Sequence, residues 1–329
     1  MRPGVSPPSL PEFDASDPVE SAIVSRLASN WARRATVKKA EPELDDLFDS
    51  SLSDYPEALL PFAEHPTYLA LSPEQKQHLQ AWAWIAFNKN VMDIEKYVVN
   101  PGFDVLAEDR LGVGLGDWAA VAVNQAMVDE QYHTLMHFNA SSATRRGRGW
   151  ALPSKALPDV LTVRTRAQAL DAAGDHRKIA LTELAFMTVA EVSITAYLDL
   201  IADDPGVQSI NRATIRLHAR DEYCHASIAG ELAVLVWDSL DSGDRSYLLE
   251  GFEDAMRAFS GTDFGAWRAI MEIEAIPGGQ KMLDDVGSEP RNKLFLQDYG
   301  GISSLLHKLQ ATPEVSIAAE ESFSVNPVQ

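Results

Sequence analysis

SINRATIRLHARDEYCHASIAGELAVLVWDSL, residues 209–240, reads as one long helix. Its apolar positions recur at three and four, it contains no proline, and its first glycine is Gly230. The spacing predicts a helix from about 208 to 239. On it His218, Glu222 and His225 stand four and then three residues apart, so their side chains share one stripe. Two imidazoles and one carboxylate therefore aim at one point. Function turns on whether other segments aim matching groups at the same place.

Working outward, the chain is helical by pattern almost everywhere. HRKIALTELAFMTVAEVSITAYLDLIA, about 176–202, is a helix carrying Glu191, ended by Asp203-Asp204-Pro205-Gly206. Gly116-Asp117 opens another, about 117–140, carrying Glu130 and His133. Ser72-Pro73-Glu74-Gln75 reads as a capping box with proline in the first turn. It opens a helix carrying Glu95 that is expected to stop before Asn100-Pro101-Gly102. Asp17-Pro18-Val19-Glu20 is a start of the same kind, for a helix running to about Lys39. A short helix near 165–173 and pieces over 241–260, 263–276 and 290–310 are expected to pack around the rest. Strand alternation is rare. The expected fold is all-α: a four-helix bundle with additional packing helices, whose ferritin-like character rests on the order of its candidate ligands. The expected organisation is an extended arm over 1–16, one domain over 17–310 and a tail over 311–329.

Glu130-x-x-His133 and Glu222-x-x-His225 are two copies of one motif. A single copy is weak, because chance supplies roughly half a copy in a chain with this many Glu and His. The stronger signal is what precedes them. Glu95 lies 35 residues before Glu130 and Glu191 lies 31 before Glu222, distances that fit adjacent antiparallel helices. The order Glu, Glu-x-x-His, crossover, Glu, Glu-x-x-His is the ligand pattern of ferritin-like di-iron and di-manganese carboxylate proteins. Two divalent ions close together need anionic oxygen ligands, and imidazole adds a neutral donor that iron accepts well. Four carboxylates converging in an apolar core would be very costly without cations between them.

Each residue also has a plainer reading. Glu95, with Lys89 and Lys96 nearby, could be a solvated helix residue. Glu191 lies in the apolar run AFMTVAEVSITAYL and is hard to place on a surface; Glu183, more than two turns earlier, is a rival out of reach. His218 is either a seventh ligand or a histidine hydrogen-bonded to a ligand carboxylate. His137 reads as a surface or outer group. Arg145, Arg146 and Arg148 read as a solvated basic patch in a loop over 141–160. Cys224, the single cysteine, excludes an intramolecular disulfide and reads as a small packed hydrophobe.

The set Glu95, Glu130-x-x-His133, Glu191 in TVAEVSITAY and His218-x-x-x-Glu222-x-x-His225 resembles the p-aminobenzoate N-oxygenase family, the AurF-like di-iron arylamine oxygenases. The histidine one turn before the last Glu-x-x-His is its most specific part. The resemblance implies two Fe ions held by Glu95, Glu130, His133, Glu191, His218, Glu222 and His225. It implies O2 as co-substrate, activated as a peroxo species that oxidises an aromatic amine to hydroxylamine, nitroso and nitro levels. It also implies an external electron donor, a homodimer and a place in natural-product (antibiotic) biosynthesis. Candidate pocket residues, one or two turns from the ligands, are Phe87, Asn88, Val91 and Thr195, with Arg291 as partner for a substrate carboxylate. Tyr197 points roughly 120° away from Glu191, which argues against a pocket role. Competing readings are a ferroxidase or iron-binding protein, a di-manganese catalase, and a di-iron enzyme hydroxylating C–H bonds.

Charge narrows the field. A chain of net charge −20 repels nucleic acid backbone and anionic membrane, so neither is an expected partner. The N-terminal stretch MRPGVSPPSLPEFDASDP lacks an apolar core and does not read as a signal peptide. No run of about 18 apolar residues marks a transmembrane helix. With one cysteine, the expected location is the reducing cytoplasm.

Overall fold

The computed structural model describes residues 13–17, 19, 21–39, 44–289 and 299–311. Its helices are α1 (Ala22–Arg34), α2 (Pro66–Leu69), α3 (Pro73–Ile94), α4 (Asn100–Ala107), α5 (Asp117–Arg148) and α6 (Leu161–Ala173). Then come α7 (His176–Ala202), α8 (Ser209–Ser239), α9 (Ser242–Ser260), α10 (Phe264–Ile273), α11 (Gly279–Gly287) and α12 (Gly300–Lys308). Among the described residues the only β pairing is an isolated bridge between Ser53 and Val207. The expected arm and tail fall almost wholly outside the described residues, as does Arg291.

Two helical hairpins make the bundle. α3 with α4 runs against α5, and α7 runs against α8. α7 is the central element, touching α4, α6, α8, α9 and α12. Leu181, Leu184, Phe186, Met187, Leu198 and Ile201 on it are all buried. α7 is long and apolar enough to cross a membrane by length and composition, but most of that apolar stretch is buried inside the bundle. α1 lies across α5 and α8 on one side, and α9 covers α6 and α7 on another.

Three expectations need correction. First, the helix from Pro73 does not stop before Pro101. The backbone N–H of Asn100 bonds back to Glu95 O, closing one π-type turn over Glu95–Val99. This slips the hydrogen-bond register and places Pro101 in the first turn of α4, where its missing N–H is not needed. Gly102 then allows α4 to lie hard against α7: a Cβ there would sit 2.1 Å from Met187 Cβ.

Second, α5 runs to Arg148 and ends at Gly149 in the left-handed region (φ 70°), so residues 141–148 are helix and not loop. Arg148 is no solvated residue. Its side chain is 4% exposed, with Nε donating to Asp54 Oδ2 (2.9 Å) and the guanidinium also reaching the carbonyls of Ser50 and Leu52. Third, α1 begins later than its proline signal suggested, capped by the Ser21 hydroxyl on the Val24 N–H.

Candidate metal centre

The π-type turn puts Glu95 at the kink between α3 and α4, facing the inner faces of the other three helices. α5 supplies Glu130 and His133, α7 supplies Glu191, and α8 supplies His218, Glu222 and His225. None of the seven is more than 2% exposed, so water offers their charges no compensation. Their atoms form two overlapping groups. One is Glu95, Glu130, His133, His218 and Glu222; the other is Glu130, Glu191, Glu222 and His225. Within each, one donor atom per residue lies within 4.8 Å of all the others. Glu130 and Glu222 belong to both.

The contacts are close. His218 Nε2 lies 2.9 Å from Glu222 Oε1 and 3.3 Å from Glu95 Oε1. His133 Nδ1 lies 2.9 Å from Glu130 Oε2 and 3.2 Å from Glu222 Oε1. His225 Nδ1 lies 2.5 Å from Glu130 Oε1 and 3.4 Å from Glu222 Oε1. Yet Glu130 Oε1, Glu191 Oε2, Glu222 Oε1, His218 Nε2 and His225 Nδ1 make no aligned hydrogen bond. Five buried, mutually facing donor atoms without hydrogen-bond partners are what a site for cations leaves. Four carboxylates balance the charge of two divalent ions, and the O/N donor set suits a first-row metal.

The electrostatics say the same. Burial, and then the charges of Glu130, Glu222 and Glu191, push the Glu95 carboxyl well above the usual carboxylate range. Burial, with Glu222 and Glu130, does the same to Glu191. Burial and Glu222 push Glu130 up too, but His225 and His133 outweigh them and bring it to about 2. For His133 and His225 burial lowers the imidazole pKa, but Glu130 and its neighbours reverse this and raise it well above normal. Without cations the cluster must share protons to tolerate its own charge.

The outward nitrogen of each imidazole has its own partner. His133 Nε2 lies 3.4 Å from Asp221 Oδ2, and His225 Nε2 lies 3.2 Å from Asp129 Oδ2. His218 Nδ1 lies 2.9 Å from His137 Nε2, and His137 Nδ1 lies 2.7 Å from Asn88 Oδ1. Asn88 Nδ2 donates to Trp84 O, so its oxygen faces His137. His137 must then donate through Nδ1 and accept through Nε2. His218 donates its Nδ1 proton, and its bare Nε2 points into the cluster. Burial, followed by the His218 charge, holds the His137 imidazole well below its ordinary pKa, which keeps this relay neutral.

Sequence reasoning missed Asp129, Asp221 and the role of His137. The signal for the aspartates was present: both motifs read Asp-Glu-x-x-His. His137 is fully buried, not superficial. Asn88 serves this relay. Phe87 lines an apolar cavity walled by Tyr55, Tyr197, Phe259 and Trp267, with Asn90 as a polar member. Tyr197 is therefore a cavity residue, contrary to its helical direction from Glu191, because the cavity lies beside α3 and α7 and not above Glu191. Its ring stacks on Phe87 (5.0 Å, 3°), and its hydroxyl accepts from Asn90 Nδ2 (3.1 Å). Phe87 also lies 6.2 Å from the His137 ring, standing between cavity and cluster. Val91 is fully buried and Thr195 half-buried, and neither lines this cavity. Glu183 is held by Arg166 through Nε (2.9 Å) and NH2, out of the cluster. Cys224 is half-buried, and burial raises its thiol pKa.

Fold and site together define a ferritin-like helical bundle with a buried carboxylate–histidine metal centre. The comparison with known proteins is more specific. Residues 17–310 match the family described as p-aminobenzoate N-oxygenase AurF, and the chain belongs to that family of oxygenases. The 4-aminobenzoate N-oxygenase of Streptomyces thioluteus is 29% identical to it over 293 residues, 88% of this chain and 87% of that protein.

Proposed function

We propose that this protein uses O2 and two iron ions to oxidise the nitrogen of an aromatic amine. The observation that carries this is the set of five orphaned, inward-facing donor atoms in a chain of this family. Glu95, His133 and His218 would complete the ligands of one ion and Glu191 and His225 those of the other, with Glu130 and Glu222 shared. When bound, the iron pair supplies the binding and activation of O2. The first oxidation balances as RNH2 + O2 + 2e⁻ + 2H⁺ → RNHOH + H2O, so an electron donor outside the chain is required.

The chain's own residues have three tasks. Asp221, Asp129 and His137 hold three imidazoles with one nitrogen bare toward the centre, which fixes tautomer and direction. Phe87, Tyr197, Tyr55, Phe259 and Trp267 offer aromatic walls for an aryl ring, and the Asn90–Tyr197 pair offers a neutral polar contact. Arg291, outside the described residues, remains the candidate partner for a substrate carboxylate, while Val91 and Thr195 lie off this cavity. The fully buried ligand shell excludes bulk water from the oxidising site. A homodimer, a cytoplasmic location and a place in antibiotic biosynthesis come with the family reading and are proposed on that basis.

The test is a single turnover. The protein is loaded anaerobically with Fe(II), mixed with p-aminobenzoate and exposed to O2, and the products are read by mass spectrometry. Hydroxylamino or nitro product is the expected result. Two bound irons and no oxidised amine, across a panel of arylamines, would sink the N-oxygenase assignment and leave iron oxidation or C–H hydroxylation. Full activity with manganese alone would overturn iron.

A further inference from the structure

We propose that the face of α1 around Trp31 docks an acidic one-electron carrier protein, and that the Trp31–Asp129–His225 chain carries its electrons into the buried centre. This rests on the N-oxygenase reading, which requires electrons from outside.

Because the cluster is fully buried, no donor protein can touch it, and electrons must cross the bundle. One hydrogen-bonded path spans that gap with three side chains. His225 faces the cluster through Nδ1; its Nε2 lies 3.2 Å from Asp129 Oδ2; the same oxygen accepts from Trp31 Nε1 at 2.8 Å. Trp31 is half-buried on α1, and the Lys38 ammonium lies 4.3 Å above its ring. Hydrogen bonds carry electronic coupling better than gaps of equal length, and an indole is the side chain best suited to meet a donor at the surface.

Trp31 Nε1 holds Asp129 as a donor, but holding such an aspartate does not need an aromatic ring. Asp221, which performs the same service for His133, is held by the backbone N–H of Thr36 (3.0 Å). Only the Asp129 branch continues to an aromatic ring.

The surrounding charge is anomalous for this molecule. Ser21 to Lys39 contains Arg26, Arg33, Arg34, Lys38 and Lys39 and no acidic residue, with Glu20 and Glu41 flanking it in a chain of net charge −20. Lys38 and Lys39 are exposed at the Trp31 end of this segment, whereas Arg26 and Arg33, two turns apart, share an exposed stripe roughly 150° round α1 from Trp31. None of these four pairs with a carboxylate among the described residues; Lys39 and Arg33 bond to a carbonyl and to Asn30 instead. Arg220, also exposed, adjoins them through Thr36 Oγ1 (2.6 Å). Lys38, Lys39 and Arg220 beside the indole fit a protein surface carrying several carboxylates, and their field steers such a partner toward Trp31. Each encounter passes one electron and leaves the carrier oxidised by one; two supply the two electrons of the first oxidation. No bond in the chain forms or breaks.

A plant-type [2Fe–2S] ferredoxin is the probe. Its affinity for the iron-loaded protein is titrated at low and high salt. Separately, stopped-flow absorbance follows electron transfer from the reduced ferredoxin to the oxidised protein, with methyl viologen radical as a small-molecule control. Lys38→Glu and Lys39→Glu together, both exposed positions, are expected to weaken binding about tenfold at low salt, and the difference closes at high salt. Trp31→Phe is expected to leave binding unchanged and to slow ferredoxin-driven reduction several-fold, with reduction by methyl viologen unaltered. Binding indifferent to the charge reversals overturns the docking site. Wild-type transfer through Trp31→Phe overturns the route. Charge-dependent binding of duplex DNA with none of ferredoxin overturns the partner class. A protein that methyl viologen cannot reduce at all fails at the prior N-oxygenase reading instead.

Discussion

His225 and Asp129 meet across the bundle, Nε2 to Oδ2 at 3.2 Å, one from α8 and one from α5. The reverse crossing joins His133 of α5 to Asp221 of α8 at 3.4 Å. Each Asp-Glu-x-x-His motif thus sends its glutamate and histidine inward and lends its aspartate to the histidine of the other. The two helices are locked in register by the groups that aim their ligands.

Asp221 is the cleaner place to test this. Asp221→Asn keeps an acceptor oxygen but removes the charge that favours the His133 Nε2 proton. Metal affinity is expected to fall about tenfold, and for Asp221→Leu, which removes the acceptor as well, nearer a hundredfold. Competitive titration against a chelator of known affinity measures both. Equal affinities for wild type and Asp221→Leu would show that His133 is held by packing alone.

His137 should behave as a link and not as a ligand. His137→Leu strands the His218 Nδ1 proton and the Asn88 oxygen in the core, at a cost of about 1–3 kcal/mol. His137→Gln, which can again accept from His218, is expected to recover much of that and to retain two bound metals. Thermal unfolding and metal analysis together distinguish this from direct ligation, which glutamine would not rescue.

The inward groups were legible because helical periodicity fixes direction. Offsets of three and four made Glu222, His218 and His225 one stripe, and the spacing to Glu191 made a hairpin. Asp129 and Asp221 were not legible from direction, since they reach across to another helix. Only the repeated Asp-Glu pair marked them. Pro101 misled because a proline is normally a stop, and nothing in the local sequence announces that a slipped register at Glu95 will absorb it. Tyr197 misled for a related reason: angle from Glu191 gives the direction to the metal cluster, whereas the cavity lies against α3. Arg148 looked solvated until the chain near Asp54, distant in sequence, folded over it.

Gly102 tests the kink. Alanine there would drive its Cβ to 2.1 Å from Met187 Cβ, with the Glu183 carbonyl at 2.8 Å. Neither neighbour is a flexible tip, so α4 must shift, carrying the Glu95 turn with it. Gly102→Ala is expected to cost about 1–3 kcal/mol. It should also weaken metal binding, and pairing it with Met187→Ala should restore part of both. An unaffected melting temperature would mean that α4 slides freely on α7.

Tyr197 separates cavity from centre. Tyr197→Ala removes the ring stacked on Phe87 and the hydroxyl bonded to Asn90. KM for an arylamine is expected to rise about tenfold or more, the loss of one buried aromatic contact, while metal content stays at two. Loss of metal instead would place Tyr197 in the support of the cluster.

Metal and pH act on the same groups, and the sign follows from the directions of their shifts. In the metal-free protein Glu95 and Glu191 hold their protons above the ordinary value of 4.5, and His133 and His225 hold theirs above 6.5. Below about pH 6.5 the lowered His137 and His218 offset Glu95 and Glu191; between about pH 6.5 and the raised values of His133 and His225 the folded state binds more protons than the unfolded chain, so metal-free stability falls as pH rises through that window. Glu130 and Glu222, held below 4.5, contribute only in more acidic solution. Metal binding reverses the balance, because it needs these carboxylates and imidazoles deprotonated and expels the protons they share. The rise in melting temperature on adding Fe(II) under argon is therefore expected to be larger at pH 8 than at pH 6, with proton release detectable in weakly buffered titration. A shift independent of pH, or larger at pH 6, would mean that the cations bind elsewhere.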